Sequence, residues 1–203
     1  MSYTYDVFIS YRRNPETLGW IKDHFIPLLC LRLEFELQRK PTVFVDDQME
    51  SGTSLPPSLG AALGASRVLI ALWTANYFAS VWCTEEFSQM LDREAQARMR
   101  SAVKPQGLII PAFIHDGASF PAGLQHIKPF EIQTSFSPRM ARTSHRAEEL
   151  DTALAAQAAA IAKSIESAPP WRKKWPIKST RKFYALFHRH AESQTKVPRF
   201  TRR

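Results

Sequence analysis

Residues 3–11 read YTYDVFISY. The apolar run at their end is nearly continuous, as in an inner strand of a parallel sheet whose two faces are both covered. The run closes on Arg12 and Arg13. Working outward, TVFVD at 42–46 reads as a second short buried strand, RVLIALW at 67–73 as a third and GLIIPAFI at 107–114 as a fourth, with a weak fifth near 128–132. Between them, residues 18–39 place apolar side chains at helical intervals, and Pro27 is expected to kink this one long amphipathic element or restart it. Residues 58–65 form a short helix of small residues, and 148–167 an alanine-rich helix with Leu150, Leu154, Ala158, Ile161 and Ile165 on one side. Strands of about five residues alternating with helices predict a doubly wound α/β sandwich. In such folds ligands bind beyond the carboxyl ends of the strands, and there Arg12, Arg13, Asp46, Asp47 and the Gly52 loop (47–57) all fall.

The stretch from Asn76 to Leu91, NYFASVWCTEEFSQML, carries the chemistry. Asn76 is positioned to cap a helix running to about Arg98, along which Cys83, Phe87, Met90 and Leu91 make one apolar stripe. At about 100° per residue Glu86 lies on the edge of that stripe, whereas Glu85 points to water. Trp82 precedes Glu86 by four residues, so an indole and a carboxylate share one helical face. Taken alone, this segment also reads as a core aromatic beside an ordinary surface acid.

The 203 residues, 44% of them apolar, suffice for one domain with an appendage. No leader segment and no run of 18 apolar residues is visible, so a cytoplasmic protein without a membrane span is expected. Cys30 and Cys83 both sit in apolar helical patterns and read as buried free thiols. No His and Cys cluster has zinc spacing, so no metal is expected. The net charge of +8 is uneven: residues 171–203 hold eleven Lys and Arg against Glu192, or +10, leaving the rest at −2. We place a boundary at Pro169-Pro170, with a domain over 1–168 and a basic aromatic extension over 169–203. The extension suits nucleic acid or an acidic partner, but packing of its aromatics from Trp171 to Phe187 on the domain's flank is the preferred reading. A short helix at 180–190 and an unstructured end at 193–203 are expected.

Four segments together carry a resemblance. Tyr5-Asp6-Val7-Phe8-Ile9-Ser10-Tyr11-Arg12-Arg13, then Phe44-Val45-Asp46-Asp47 with Glu50-Ser51-Gly52, then Ala65-Ser66-Arg67-Val68, then Tyr77 to Phe87 with Trp82-Cys83-Thr84-Glu85-Glu86, resemble in order and spacing the signature segments of Toll/interleukin-1 receptor (TIR) domains over roughly residues 3–132. The resemblance implies a flavodoxin-like fold with a five-stranded parallel sheet. It also implies the bacterial NAD-cleaving type, a glycohydrolase or ADP-ribosyl cyclase in anti-phage defence or nucleotide signalling, activated by self-assembly through TIR-TIR contacts; a partner encoded elsewhere, sensor or effector, is the alternative trigger.

By this resemblance Glu86 is the catalytic residue, touching the ribose and stabilising its oxocarbenium, and Trp82, with its neighbour Cys83, lines the substrate site. Arg12 and Arg13 would lie near the phosphates or the loop, although arginines at a strand end are often solvated or paired with acids such as Asp46. The loop bearing Gly52 would pack on a neighbouring subunit, but Thr53, Ser54 and Leu55 replace the aromatic residue that some NAD-cleaving relatives carry there. NAD enters as substrate and no cofactor is implied, because no G-x-G-x-x-G follows the first strand. Two rivals remain. A non-enzymatic adaptor has no chemical need for Glu86, and a phospho-acceptor receiver would need acids where Tyr11-Arg12-Arg13 stands.

Overall fold

The structure is a computed structural model that describes residues 2–47, 57–115, 120–124, 126–173 and 175. Five strands, β1 (Tyr5–Tyr11), β2 (Val43–Val45), β3 (Ser66–Trp73), β4 (Ile109–Phe113) and β5 (Phe130–Glu131), form one sheet in the order β2-β1-β3-β4-β5. Every pairing is parallel, with Ile9 opposite Val45 on one side and Ile70 on the other. The expected doubly wound α/β sheet is therefore observed, in the 2-1-3-4-5 order of the flavodoxin-like folds. Consecutive residues of β1 and β3 are buried, so helices cover both faces, as the unbroken apolar runs required.

The first helical region departs from a single kinked helix. It comprises α1 (Pro15–Trp20), a π-helical turn at Ile21–Phe25 and α2 (Ile26–Leu37). Pro27 has no N–H and its ring would clash with the carbonyl four residues back. The wide turn just before it relieves that clash, with the Ile26 N–H bonded to Ile21 O. α2 packs on α6 (His145–Glu166), where Arg32 pairs with Asp151. Cys30 on α2 is half-buried instead of buried, and both cysteines are free thiols.

α3 (Pro57–Gly64), the short helix expected at 58–65, precedes β3, which leads through α4 (Ala75–Phe78) to α5 (Val81–Gln96); α5 packs on β1, β3 and β4. Asn76 is not the cap. Thr74 caps α4 through Tyr77 N–H, and Ser80 caps α5 through Cys83 N–H, so the chain turns between the two helices where one had been expected. α5 ends at Gln96, two residues short of Arg98, in a Schellman arrangement: Arg98 takes a left-handed φ of 53° and Met99 N–H bonds Glu94 O at 2.9 Å. The Glu94 side chain then accepts from Ile109 N–H at 2.9 Å and pairs with Arg100, tying the end of α5 to the start of β4.

The start of the extension packs on the domain. Tyr3 Oη donates to Pro169 O at 2.7 Å, and Trp175 is 7% exposed with its ring face against the Arg93 guanidinium. The expected helix at 180–190 and the end at 193–203 lie outside the described residues. Among the described residues no helix is long and apolar enough to cross a membrane, and no group of three His, Cys, Asp or Glu is arranged to hold a metal ion.

Candidate functional site at the carboxyl end of the sheet

Ser10 is the penultimate residue of β1, and strand alternation turns it to the same face as Phe8. It meets Glu86 of α5 there, donating from Oγ to Glu86 Oε2 at 2.6 Å. Tyr77 Oη of α4 is 2.8 Å from Ser10 Oγ and 3.3 Å from Cys83 O. The Cys83 thiol points to Tyr11 O at 3.3 Å, so two residues of α5 are fastened to the last two of β1. Three elements thus converge on one carboxyl group.

Glu86 is 9% exposed, whereas Glu85 is half-buried and holds the Gln89 side chain. Burial raises the Glu86 carboxyl from the ordinary 4.5 to about 8; the Ser10 bond opposes this, Asp46 adds to it and Arg13 opposes it. Burial likewise pushes up the Cys83 thiol and the Tyr77 phenol, each further raised by the neighbouring Glu86. A Cys83 thiol kept protonated in this way is a poor nucleophile.

The other expected site residues fall around this centre. Asp46 follows β2, its backbone carbonyl accepts from Tyr11 Oη at 2.9 Å, and its carboxylate is paired with Arg13. Arg12 is exposed, and Trp82 is partly exposed one helical turn before Glu86. Arg12 and Arg13 line a cleft of about 560 Å³ with Tyr11, Thr74, Asn76 and His115, beyond the ends of β1, β3 and β4. Glu86, Asp46, Trp82 and Cys83 are not part of that cleft's wall; Tyr11, which lines it, is bonded through its backbone oxygen to the Cys83 thiol. Gly52 lies outside the described residues.

Sequence reasoning gave no role to Ser10 or Tyr77. The signal for Ser10 was present, since it is the one aliphatic hydroxyl in the otherwise apolar and aromatic end of a buried strand. Tyr77 offered none, because its hydroxyl reaches Ser10 only through the turn at Ala79-Ser80.

A parallel sheet in this order, reversing its winding between β1 and β3 with polar side chains gathered at its carboxyl end, defines a flavodoxin-like α/β domain. Within that class the chain belongs to the TIR domain family, whose family model matches residues 7–143. It is similar to Protein SUPPRESSOR OF npr1-1, CONSTITUTIVE 1 of Arabidopsis thaliana, 30% identical over 118 residues, which cover 58% of this chain and 7% of that protein. Disease resistance protein RPV1 of Vitis rotundifolia is 31% identical over 102 residues, 50% of this chain and 7% of that protein. The chain therefore spans a small fraction of the length of these curated relatives. Among solved structures it is similar to the TIR domains of the activated Roq1 resistosome (22% identity, 76% of this chain and 84% of that one, TM-score 0.40). The TIR domain of the Toll-related receptor TRR-2 from Hydra magnipapillata is likewise similar (21% identity, 63% and 84%, TM-score 0.39).

Proposed function

We propose that this TIR domain is of the NAD-cleaving type and breaks the bond between nicotinamide and ribose, with Glu86 as its catalytic carboxylate. One observation carries the reading: Glu86 is held by Ser10 out of bulk water at the carboxyl end of β1, with Trp82 one turn away on the same helix. An adaptor gains nothing from burying an acid whose proton affinity rises to about 8 there.

The chemistry asks for one fixed anion. As the bond from the ribose anomeric carbon to the pyridinium nitrogen breaks, its electron pair goes to nitrogen. Nicotinamide leaves neutral, and positive charge develops on the sugar. A carboxylate in a site of low dielectric stabilises that charge, and water or a hydroxyl of the nucleotide captures the carbon and releases a proton. No general acid is needed. The cationic pyridinium itself lowers the Glu86 value on binding, which delivers the anion when it is required. Arg12, exposed at the rim, supplies positive charge for the diphosphate.

The names of the relatives, disease resistance proteins among them, support a role in defence signalling. We assign activation to self-association, so a dilute monomer turns over slowly. The test is concentrated protein incubated with NAD, its products resolved by chromatography, beside Glu86→Gln. Release of nicotinamide with ADP-ribose or a cyclic isomer is expected from the natural chain alone. Equal turnover by both proteins, or by neither, overturns the reading.

A further inference from the structure

We propose that Tyr77 and Ser10 form a hydroxyl relay that sets the protonation state of Glu86, with Tyr77 a positioning residue whose O–H reverses direction when the carboxyl gains or loses a proton. The geometry is a chain of four oxygens: Glu86 Oε2, Ser10 Oγ at 2.6 Å, Tyr77 Oη a further 2.8 Å on, and Cys83 O at 3.3 Å from Tyr77. Tyr77 is 0% exposed and Ser10 1%, which shields the chain from water.

Each hydroxyl has one proton to give, so the chain has two self-consistent polarities. With Glu86 ionised, Ser10 donates to the carboxylate and its oxygen is left to accept from Tyr77. With Glu86 protonated, the carboxyl can donate to Ser10, Ser10 to Tyr77, and Tyr77 to Cys83 O. Only O–H rotations separate the two states; one proton enters from solvent at Glu86 and no covalent bond to carbon changes. Because the carbonyl at the far end accepts in the second state, Tyr77 always has a use for its proton. The ionised state gains most, since hydrogen bonds in a chain polarise one another toward a charge.

Among the described residues, the charged and titratable groups around the relay are few. β1 and the residues after it bring Arg12 and Arg13, the end of β2 brings Asp46, which Arg13 pairs, and α5 brings the Cys83 thiol. Arg13 and Asp46 act on Glu86 in opposite senses. Burial is the largest influence on the carboxyl, and the hydroxyls are the bonded partners that oppose it, Ser10 directly and Tyr77 through Ser10.

The consequence for turnover rests on the function proposed above, but the relay itself is read without it. In protein labelled with ¹³C at glutamate Cδ and tyrosine Cζ, Glu86 and Tyr77 should titrate with a common midpoint although the phenol keeps its proton. Ser10→Ala should raise that midpoint by about one to two pH units, and Tyr77→Phe, which keeps the ring, by about half a unit. The acid limb of the NAD cleavage profile should move with it by the same amounts. A Tyr77 signal that ignores the Glu86 titration in the unsubstituted protein, or midpoints left in place by both substitutions, overturns the relay, and the first needs no variant to fold. Midpoints that move in a protein that never cleaves NAD leave the relay standing and remove the enzymatic reading. Cleavage with unmoved midpoints does the reverse.

Discussion

The guanidinium of Arg93 lies 4.3 Å from the ring centroid of Trp175, so a cation near the end of α5 is roofed by an indole from the extension. Arg93 is 2% exposed and gives two hydrogen bonds to backbone, to Ser66 O at 2.7 Å and Leu63 O at 3.1 Å, while its buried Nε finds no acceptor among the described residues. Burial lowers its value to about 10, only partly opposed by Tyr3, and Tyr3 stacks on the same indole at 6.1 Å. Removing the roof lets water reach a cation whose two carbonyl partners are fixed. Trp175→Ala should therefore cost about 3 kcal/mol, a Tm fall of about 6–12 °C. In a double-mutant cycle with Arg93→Met, a coupling of about 1 kcal/mol is expected from thermal denaturation, and none if the two sites are independent.

Glu85 and Glu86 are adjacent in sequence and unlike in setting. Glu86→Gln should reduce nicotinamide release at least about a thousandfold, the scale of losing an electrostatic stabiliser of the transition state. Glu85→Gln, which removes only an acceptor for Gln89, should stay within about twofold. Chromatographic rates at equal, high protein concentration decide the matter, and the opposite order would unseat Glu86.

The same carboxyl shapes stability against pH. Its folded value of about 8 stands above the ordinary 4.5, so between these two the folded chain binds a proton that the unfolded chain has released. Stability from this source is complete below pH 4.5 and is lost as pH rises through 8, a swing on the order of 5 kcal/mol. Melting curves from pH 5 to 9 should show the natural chain losing Tm relative to Glu86→Gln, which has nothing to ionise. Parallel curves would mean that Glu86 titrates in the ordinary range.

Asp6 works in the opposite sense. Its buried carboxylate takes Arg39 through both oxygens at 2.6 and 2.7 Å, and accepts from Thr42 N–H at 2.9 Å just before β2. Burial alone would raise its value, but the Arg39 and Thr42 bonds outweigh it and hold the group below 3.8. The stabilisation is present above pH 4 and lost as pH falls through the folded value. Arg39 is half exposed and screened, so Asp6→Asn should cost about 2 kcal/mol at pH 7 and progressively less in acid. Urea midpoints at pH 7 and pH 3 measure the difference.

Much of this was legible in the sequence because its signals are local. The five strands show as short apolar runs, and the burial of Glu86 over Glu85 follows from helical period alone. What stayed hidden needs the third dimension. Ser10 and Tyr77 stand 67 residues apart, and nothing in either segment announces their contact. Asn76 looked like a cap because the pattern of α5 blurs into α4, and only the chain's turn at Ala79-Ser80 hands the caps to Thr74 and Ser80. Arg12 and Arg13 share a strand end, yet one is paired with Asp46 and the other exposed, a distinction set by where β2 finishes.

The wide turn ahead of Pro27 does more than avoid a clash. Ile21, Phe25, Leu29 and Leu33 recur every four residues and all are fully buried, although a regular α-helix would swing each about 40° past the one before. A turn that takes up one more residue winds the later pair back toward the line of the earlier pair, so a strict period of four can serve a single inward line. A residue removed between 21 and 25 is therefore expected to return the turn to ordinary α winding and to swing Leu29 and Leu33 off the inward line.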